Sequence, residues 1–317
     1  MINSSLSAFL NHLIDYAGLF PPANLPLQSA IEKYSEYQSG KDSWMMGPFI
    51  LPVSRLNEIE SHLHLFSNER FLPLSITGGR SSSEEECTKQ FKEGLQSIST
   101  FSNTFNNHVK VELLEIPLPP TVPSLELLQE IANGAEALGI HAFCEVPLVA
   151  DWKKHVTATL DVMALHNASA ESWIGVKLRT GGIQADMFPS VEQVAFVIAA
   201  CRDRHLPMKF TAGLHHPIRM YREEVNTRMH GFLNIFMAGL LSHSQNLDIK
   251  KIEEILVDED TNSFSIEEEC LIWRNLSITS KEISRLREKA LLSFGSCSFD
   301  EPRIELMNLK NQQEALL

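Results

Sequence analysis

In the run Trp173-Ile-Gly-Val-Lys-Leu-Arg-Thr-Gly-Gly182, Lys177 and Arg179 stand two residues apart, just before a pair of glycines. The run Pro207-Met-Lys-Phe-Thr-Ala-Gly-Leu-His-His216 repeats the offset with Lys209 and Thr211, followed by His215 and His216. In an extended strand a spacing of two places both side chains on one face. The surrounding residues are apolar, so these cations need a partner, a loss of charge, or a place at an open rim. Two lysines on adjacent strands each disfavour the other's charge, which lowers a pKa and frees an amine to attack a carbonyl. On this reading Lys209 forms the imine and Lys177 lowers its pKa. Glu145, near the end of Phe143-Cys-Glu-Val-Pro147, or a histidine of the 215–216 pair then moves protons. The plainer reading keeps both lysines as point charges that anchor an anion.

Other residues fit around this centre. Arg179, Thr180, Gly181, Gly182 and Thr211, the turn Gly78-Gly79-Arg80, and Gly295-Ser296 offer N–H, hydroxyl and guanidinium donors for a carboxylate or phosphate. The alternative to a lyase without a cofactor is a metal-assisted hydrolase or isomerase, with a divalent metal held by His215, His216 and Glu145. Glu112 and Glu115 differ by an odd offset, so in a regular strand one of them faces away from the interior. Asp15 precedes the first clear strand and reaches the site only if its segment folds over the mouth. Asp300-Glu301-Pro302 reads as a turn, with a rim carboxylate pair as the other option, and His230 reads as structural. Cys297, between Ser296 and Ser298, lacks an evident basic neighbour to make it a nucleophile.

Such residues require parallel strands with their ends at one face. Short apolar runs alternate with longer helical stretches, the pattern of strands joined by crossover helices, repeated often enough for a (β/α)8 TIM barrel. Expected strands are 48–54, 71–77, 109–117, 142–147, 173–179, 207–212 and 231–238, with the eighth supplied by 263–273 or 293–299. Expected helices are 56–66, 83–99, 124–138, 152–167, 190–205, 218–226, 249–257 and 280–291. Ser190 and Gln193 have the spacing of a capping box. Residues 1–47 read as a helical extension and 308–317 as a peripheral tail on one barrel domain. No GxGxxG follows the first strand, which counts against a doubly wound dinucleotide fold.

Composition narrows the partners. The chain has 317 residues, with 27 Lys plus Arg against 40 Asp plus Glu. The resulting charge of -13 disfavours a nucleic-acid backbone as partner. Five scattered cysteines without a CxxC pair read as reduced thiols. No apolar run is long enough to span a bilayer, and the first residues lack a basic leader, so the expected setting is cytoplasmic with no membrane partner. The expected ligand is a small anionic metabolite. Trp44, Met45 and Met46 could form a homo-oligomer contact, although packing is the commoner fate of such residues.

The run Lys209-Phe-Thr-Ala-Gly213 resembles the Schiff-base lysine segment of class I aldolases of the deoxyribose-phosphate aldolase type. That family carries its imine lysine on the sixth strand, a second lysine on the seventh and an aspartate on the third. The resemblance implies a lyase in which Lys209, on the expected sixth strand, forms the imine. The chain departs from the pattern with Asn234 in place of the second lysine and Glu112 or Glu115 in place of the aspartate, leaving Lys177 as a substitute second lysine. DYAGLFPPA, KLRTGG, AGLHHP and SFGSCSFDEP resemble segments of a bacterial barrel family, a likeness that implies no activity. Binding of a metabolite without turnover is the non-enzymatic alternative.

Overall fold

The computed structural model describes residues 4–314. Helix α1 (Ser4–Leu10) leads into β1 (Ile14–Tyr16), a strand of three residues, and then into α2 (Leu27–Gln38). A crossover of 3-10 helix, Val53–Leu65, joins β2 (Met46–Pro52) to β3 (Leu72–Thr77). The α/β alternation then becomes regular: α3 (Glu84–Thr104), β4 (Val109–Pro117), α4 (Leu125–Ala137), β5 (His141–Glu145), α5 (Trp152–Ser169), β6 (Ile174–Arg179), α6 (Val191–Asp203) and β7 (Met208–Thr211).

Between β7 and the last barrel strand lies a hairpin, β8 (Met220–Arg222) and β9 (Thr227–Met229), then α7 (Phe232–Gln245) and α8 (Ile249–Val257). A small antiparallel sheet follows, β10 (Phe264–Ile266), β11 (Cys270–Trp273) and β12 (Leu276–Thr279), leading to α9 (Ser280–Lys289). Strand β13 (Leu291–Ser296) and helix α10 (Asp300–Glu314) complete the described residues. Eight strands close a barrel in the order β1-β13-β7-β6-β5-β4-β3-β2, every pair parallel. This is a (β/α)8 TIM barrel.

Local sequence accounts for the helix starts. Ser83, Ser124, Asp248 and Thr279 each accept a backbone N–H three residues on, and Ser190 with Gln193 forms the expected capping box. Inside the barrel a side chain at position 175 would collide with the Phe143 ring, its Cβ lying 2.3 Å from a ring carbon. Glycine there lets the phenyl group fill the interior. At the strand starts, Arg287 donates to the carbonyls of Phe9, Asn11 and Leu291, joining α1, the approach to β1, and β13.

Three expectations change. Residues 231–238 are helix, not strand: α7 is buried on nearly every face, and its Phe232 and Phe236 pack on Phe294 and Phe210 of neighbouring strands. A helix apolar all round carries no 3.6-residue signal. Residues 218–226 form a hairpin strand and turn, not a helix, with Asn226 in the left-handed region at φ 51°. Residues 1–47 are more than an extension, since they supply β1. The eighth strand comes from 291–296, while 263–273 belongs to the antiparallel excursion. Met45 and Met46 are buried and Trp44 packs on the core, so this cluster is packing. Residues 308–314 continue α10, and 315–317 lie outside the described residues.

Candidate active site

Register places the charged residues in rings. Glu145 pairs with Lys177 across β5 and β6, Lys177 with Lys209 across β6 and β7, and Arg179 with Thr211 one inner-face step nearer the strand exits. The side chains link in an alternating chain that crosses the barrel. The Lys209 ammonium donates to Asp15 at 2.8 Å and to Glu115. Glu115 lies 2.7 Å from Lys177, which is 2.9 Å from Glu145, and Glu145 accepts from Arg179 Nε at 3.1 Å. Ser75 donates to Glu115 and Ser293 to Asp15, both at 2.7 Å.

Burial grades along this chain. Lys209 and Asp15 are sealed at 0%, Lys177 is 6% exposed, and Arg179 is 40% exposed. Burial opposes the charge of Lys177, Lys209, Glu115, Glu145 and Asp15, and at the first four of these the partners outweigh it. Desolvation favours the neutral amine of Lys177, but Glu115 and Glu145 outweigh it and hold its pKa above the ordinary lysine value. Asp15 and Glu115 do the same for Lys209. Burial likewise opposes the charges of Glu115 and Glu145, and their cations pull both carboxyls below the usual range. At Asp15 burial wins over Lys209, and the carboxyl is raised.

This corrects the expected electrostatics. The lysines do not depress each other, because a carboxylate stands between them and both are held as ammonium ions. The choice between Glu112 and Glu115 is also resolved. A bulge in β4, where Val111 and Leu113 face consecutive residues of β3, turns Glu115 to the interior, while Glu112 pairs at 3.7 Å with Lys110.

A cavity of about 330 Å³ opens at the strand exits above the chain. Lys177, Glu115, Glu145, Arg179, Arg80 and His215 line it, with Gly78, Gly182, Thr211, Gly295 and Cys297 among the remaining wall. Lys209 lies deeper, one inner-face position before Thr211. A larger cavity of about 810 Å³ at the strand starts touches Asp15 and Ser293 but neither lysine, so the smaller one is the candidate site. Arg80 reaches within 3.9 Å of Glu145 and is 76% exposed, leaving it free to turn toward an anion.

Several expected residues lie outside the wall. Thr180 is buried and donates to the Ala212 carbonyl at 2.7 Å. Gly181 packs on the Gly213 backbone, 2.9 Å from where a Cβ would stand, and Gly213 has φ 74°. Both features suit the close approach of two loops. Gly79 packs near Gln90, and Ser296 is buried with its hydroxyl accepting from Ser298 N.

The histidines diverge. His215 faces the cavity, with Nδ1 3.0 Å from Glu301 and 3.9 Å from Cys297. Burial opposes its charge, but those two neighbours lift its pKa to about 9. His216 turns to Glu305 at 2.8 Å. The expected metal set His215, His216 and Glu145 is therefore not assembled, since Glu145 is committed to Lys177 and Arg179. His230 is structural, its Nε2 2.8 Å from the Pro189 carbonyl and its pKa lowered by burial to about 4.

Sequence reasoning missed Ser75, Ser293 and Glu305, offered Glu301 only as half of a rim pair, and gave Asp15 a route to the site over the mouth, whereas it stands inside the barrel. Glu301 and Glu305 have the four-residue spacing of one helix face, a signal that was available. Asp300, expected in a turn, stands in the first turn of α10 and accepts from Tyr37 Oη at 2.8 Å.

The fold and the charged mouth define a (β/α)8 barrel. Counted from Ile14, Glu115 is on the fourth barrel strand, Lys177 on the sixth and Lys209 on the seventh, one place later than the sequence alone implied for each lysine. Asn234, expected where a second lysine would be, lies on α7. The sequence matches no family model and no curated protein. Among solved structures the chain is similar to a tetrameric deoxyribose phosphate aldolase from Aeropyrum pernix, with 14% identity over 67% of this chain and 81% of that one and a TM-score of 0.44. It is also similar to a type I 3-dehydroquinate dehydratase from Clostridium difficile, with 14% identity, coverage of 63% and 74%, and a TM-score of 0.36. A monomeric dihydrodipicolinate synthase variant gives 16% identity, coverage of 78% and 79%, and a TM-score of 0.38. No helix among the described residues is long and apolar enough to cross a membrane.

Proposed function

We propose that this chain is an aldolase-like lyase that forms an imine between Lys177 and a small carbonyl compound bearing a carboxylate or phosphate. The observation that carries the reading is the position of Lys177, the one of the two lysines whose amine borders the cavity, set between two carboxylates. Lys209, sealed beneath, serves as the fixed cation that keeps Glu115 ionised.

In this mechanism Arg179 and Arg80 leave Glu145 in part to hold the substrate anion. Lys177 passes a proton to Glu145, and its nitrogen bonds to the carbonyl carbon. The carbonyl oxygen leaves as water after taking two protons, giving a protonated imine. Glu145 takes the proton of a hydroxyl two carbons from the imine carbon, that oxygen becomes the carbonyl of the departing product, and the electron pair of the intervening carbon–carbon bond flows into the imine as the bond breaks. Glu145 or His215 returns a proton to the resulting enamine, and water releases the product and the amine. No cofactor is required.

The full pairing of both lysines supports a second reading, in which the cations bind the metabolite without turning it over. One experiment separates the two. The protein is incubated with small oxo-acids and sugar phosphates, reduced with borohydride, and mapped by peptide mass spectrometry. A reduced adduct on Lys177 is expected. Saturable binding with no adduct on any lysine would overturn the lyase reading in favour of the second, and an adduct on Lys209 would overturn the residue assignment.

A further inference from the structure

Beside the mouth, and apart from the lysine chain, three side chains of metal-ligating type converge. His216 comes from the segment after β7, and Glu301 and Glu305 from one face of α10, a single turn apart. One donor atom from each lies within 4.8 Å of the other two. His216 is buried with its side chain 6% exposed, and its Nδ1 meets both Glu305 oxygens at 2.8 Å, so the imidazole and carboxylate already point into one volume. Glu301 and Glu305 are 42% and 36% exposed, which leaves a path from solvent.

We propose that His216, Glu301 and Glu305 bind a divalent transition-metal ion. One imidazole nitrogen and two carboxylate oxygens form a borderline donor set, suited to Zn²⁺ or Mn²⁺ more than to the all-oxygen preference of Ca²⁺. The ion replaces the direct contact between His216 and Glu305, and water fills its remaining positions. Three ligands from two segments tie α10 to the loop that carries His215, so the ion fixes the cavity wall on that side. Arg222 also approaches Glu305, at 3.9 Å, and its charge holds the affinity below that of a site with acidic surroundings.

The test is calorimetric titration of the chelator-stripped full chain with zinc chloride and, separately, manganese chloride near neutral pH. Saturable binding of one ion per chain with a rise in melting temperature is expected. Loss of partners outside the first coordination sphere already weakens metal sites roughly 10–100-fold, so Glu301→Gln and Glu305→Gln should each weaken binding by about tenfold or more. Glu145→Gln should leave the metal affinity unchanged. Both α10 variants change partly exposed residues, and melting curves in chelator establish that they fold. Absence of one-to-one binding by either ion, or an affinity that survives both α10 substitutions, would overturn the proposal.

Discussion

Lys209 has both of its carboxylate partners inside the barrel and no exposure of its own. Removing its charge strands Asp15 in the interior and leaves Glu115 with Lys177 alone as its cation, and breaking a buried pair in this way costs about 3–5 kcal/mol. Lys209→Met should therefore lower the unfolding free energy by that order, read from urea melts at neutral pH. The pH dependence follows from the direction of each shift. Glu115 and Glu145 are depressed, so their contribution is present above the ordinary 4.5 and is lost as pH falls through their folded values. Lys177 is raised, so its contribution is full below the ordinary 10.5 and is lost as pH rises through its folded value. His215 is also raised, so melting temperature should begin to fall as pH rises from 6.5 through about 9 and fall further above 10.5, where both lysines lose their contribution, and Lys177→Met should remove part of that last limb. Because the resting amine is protonated, the rate of borohydride-trapped adduct formation should climb with pH through the alkaline range, a profile that a flat trace would contradict. The inner-face pairs were legible because Lys177 with Arg179, and Lys209 with Thr211, interrupt otherwise apolar runs. The sign of their pKa shifts was not, because it depends on Glu115, whose orientation is fixed by a bulge that a strand period of two does not describe.

At the level of elements, six barrel strands could be read from apolar runs, Leu291–Ser296 was one of two alternatives for another, and one strand could not be read. Ile14–Tyr16 is three residues long and forms a strand because β2 and β13 flank it, a tertiary cause with no local signature. Helix α7 misleads for the opposite reason, since burial on all sides gives it the look of an interior strand. Its Asn234 is the exception that fixes its seat. The side-chain amide donates to the Ile255 and Asp258 carbonyls and its oxygen accepts from Arg219 N, each at 2.8 Å. Asn234→Leu leaves these backbone groups unmet at about 1–3 kcal/mol each, and thermal unfolding should show the loss. A milder test is Ser190→Ala, which removes half of a capping box and should cost about 1 kcal/mol in the same assay.

Across the whole molecule, the first and last barrel strands are neighbours, joined by the Ile14 to Phe294 register and reinforced by Arg287. The Asp15 to Lys209 bond spans 194 residues of sequence, so closing the barrel and completing the charged chain are the same event. This has a bearing on how the protein is made. Until Leu291–Ser296 leaves the ribosome, β1 and β7 each keep an unpaired edge, and Asp15 and Lys209 have no sealed interior to meet in. A nascent chain halted before residue 291 should thus expose two strand edges and attract chaperones or its own kind, while the finished chain exposes none in the barrel. For this molecule, the last strand to be synthesised is the one that turns a sticky intermediate into a closed vessel.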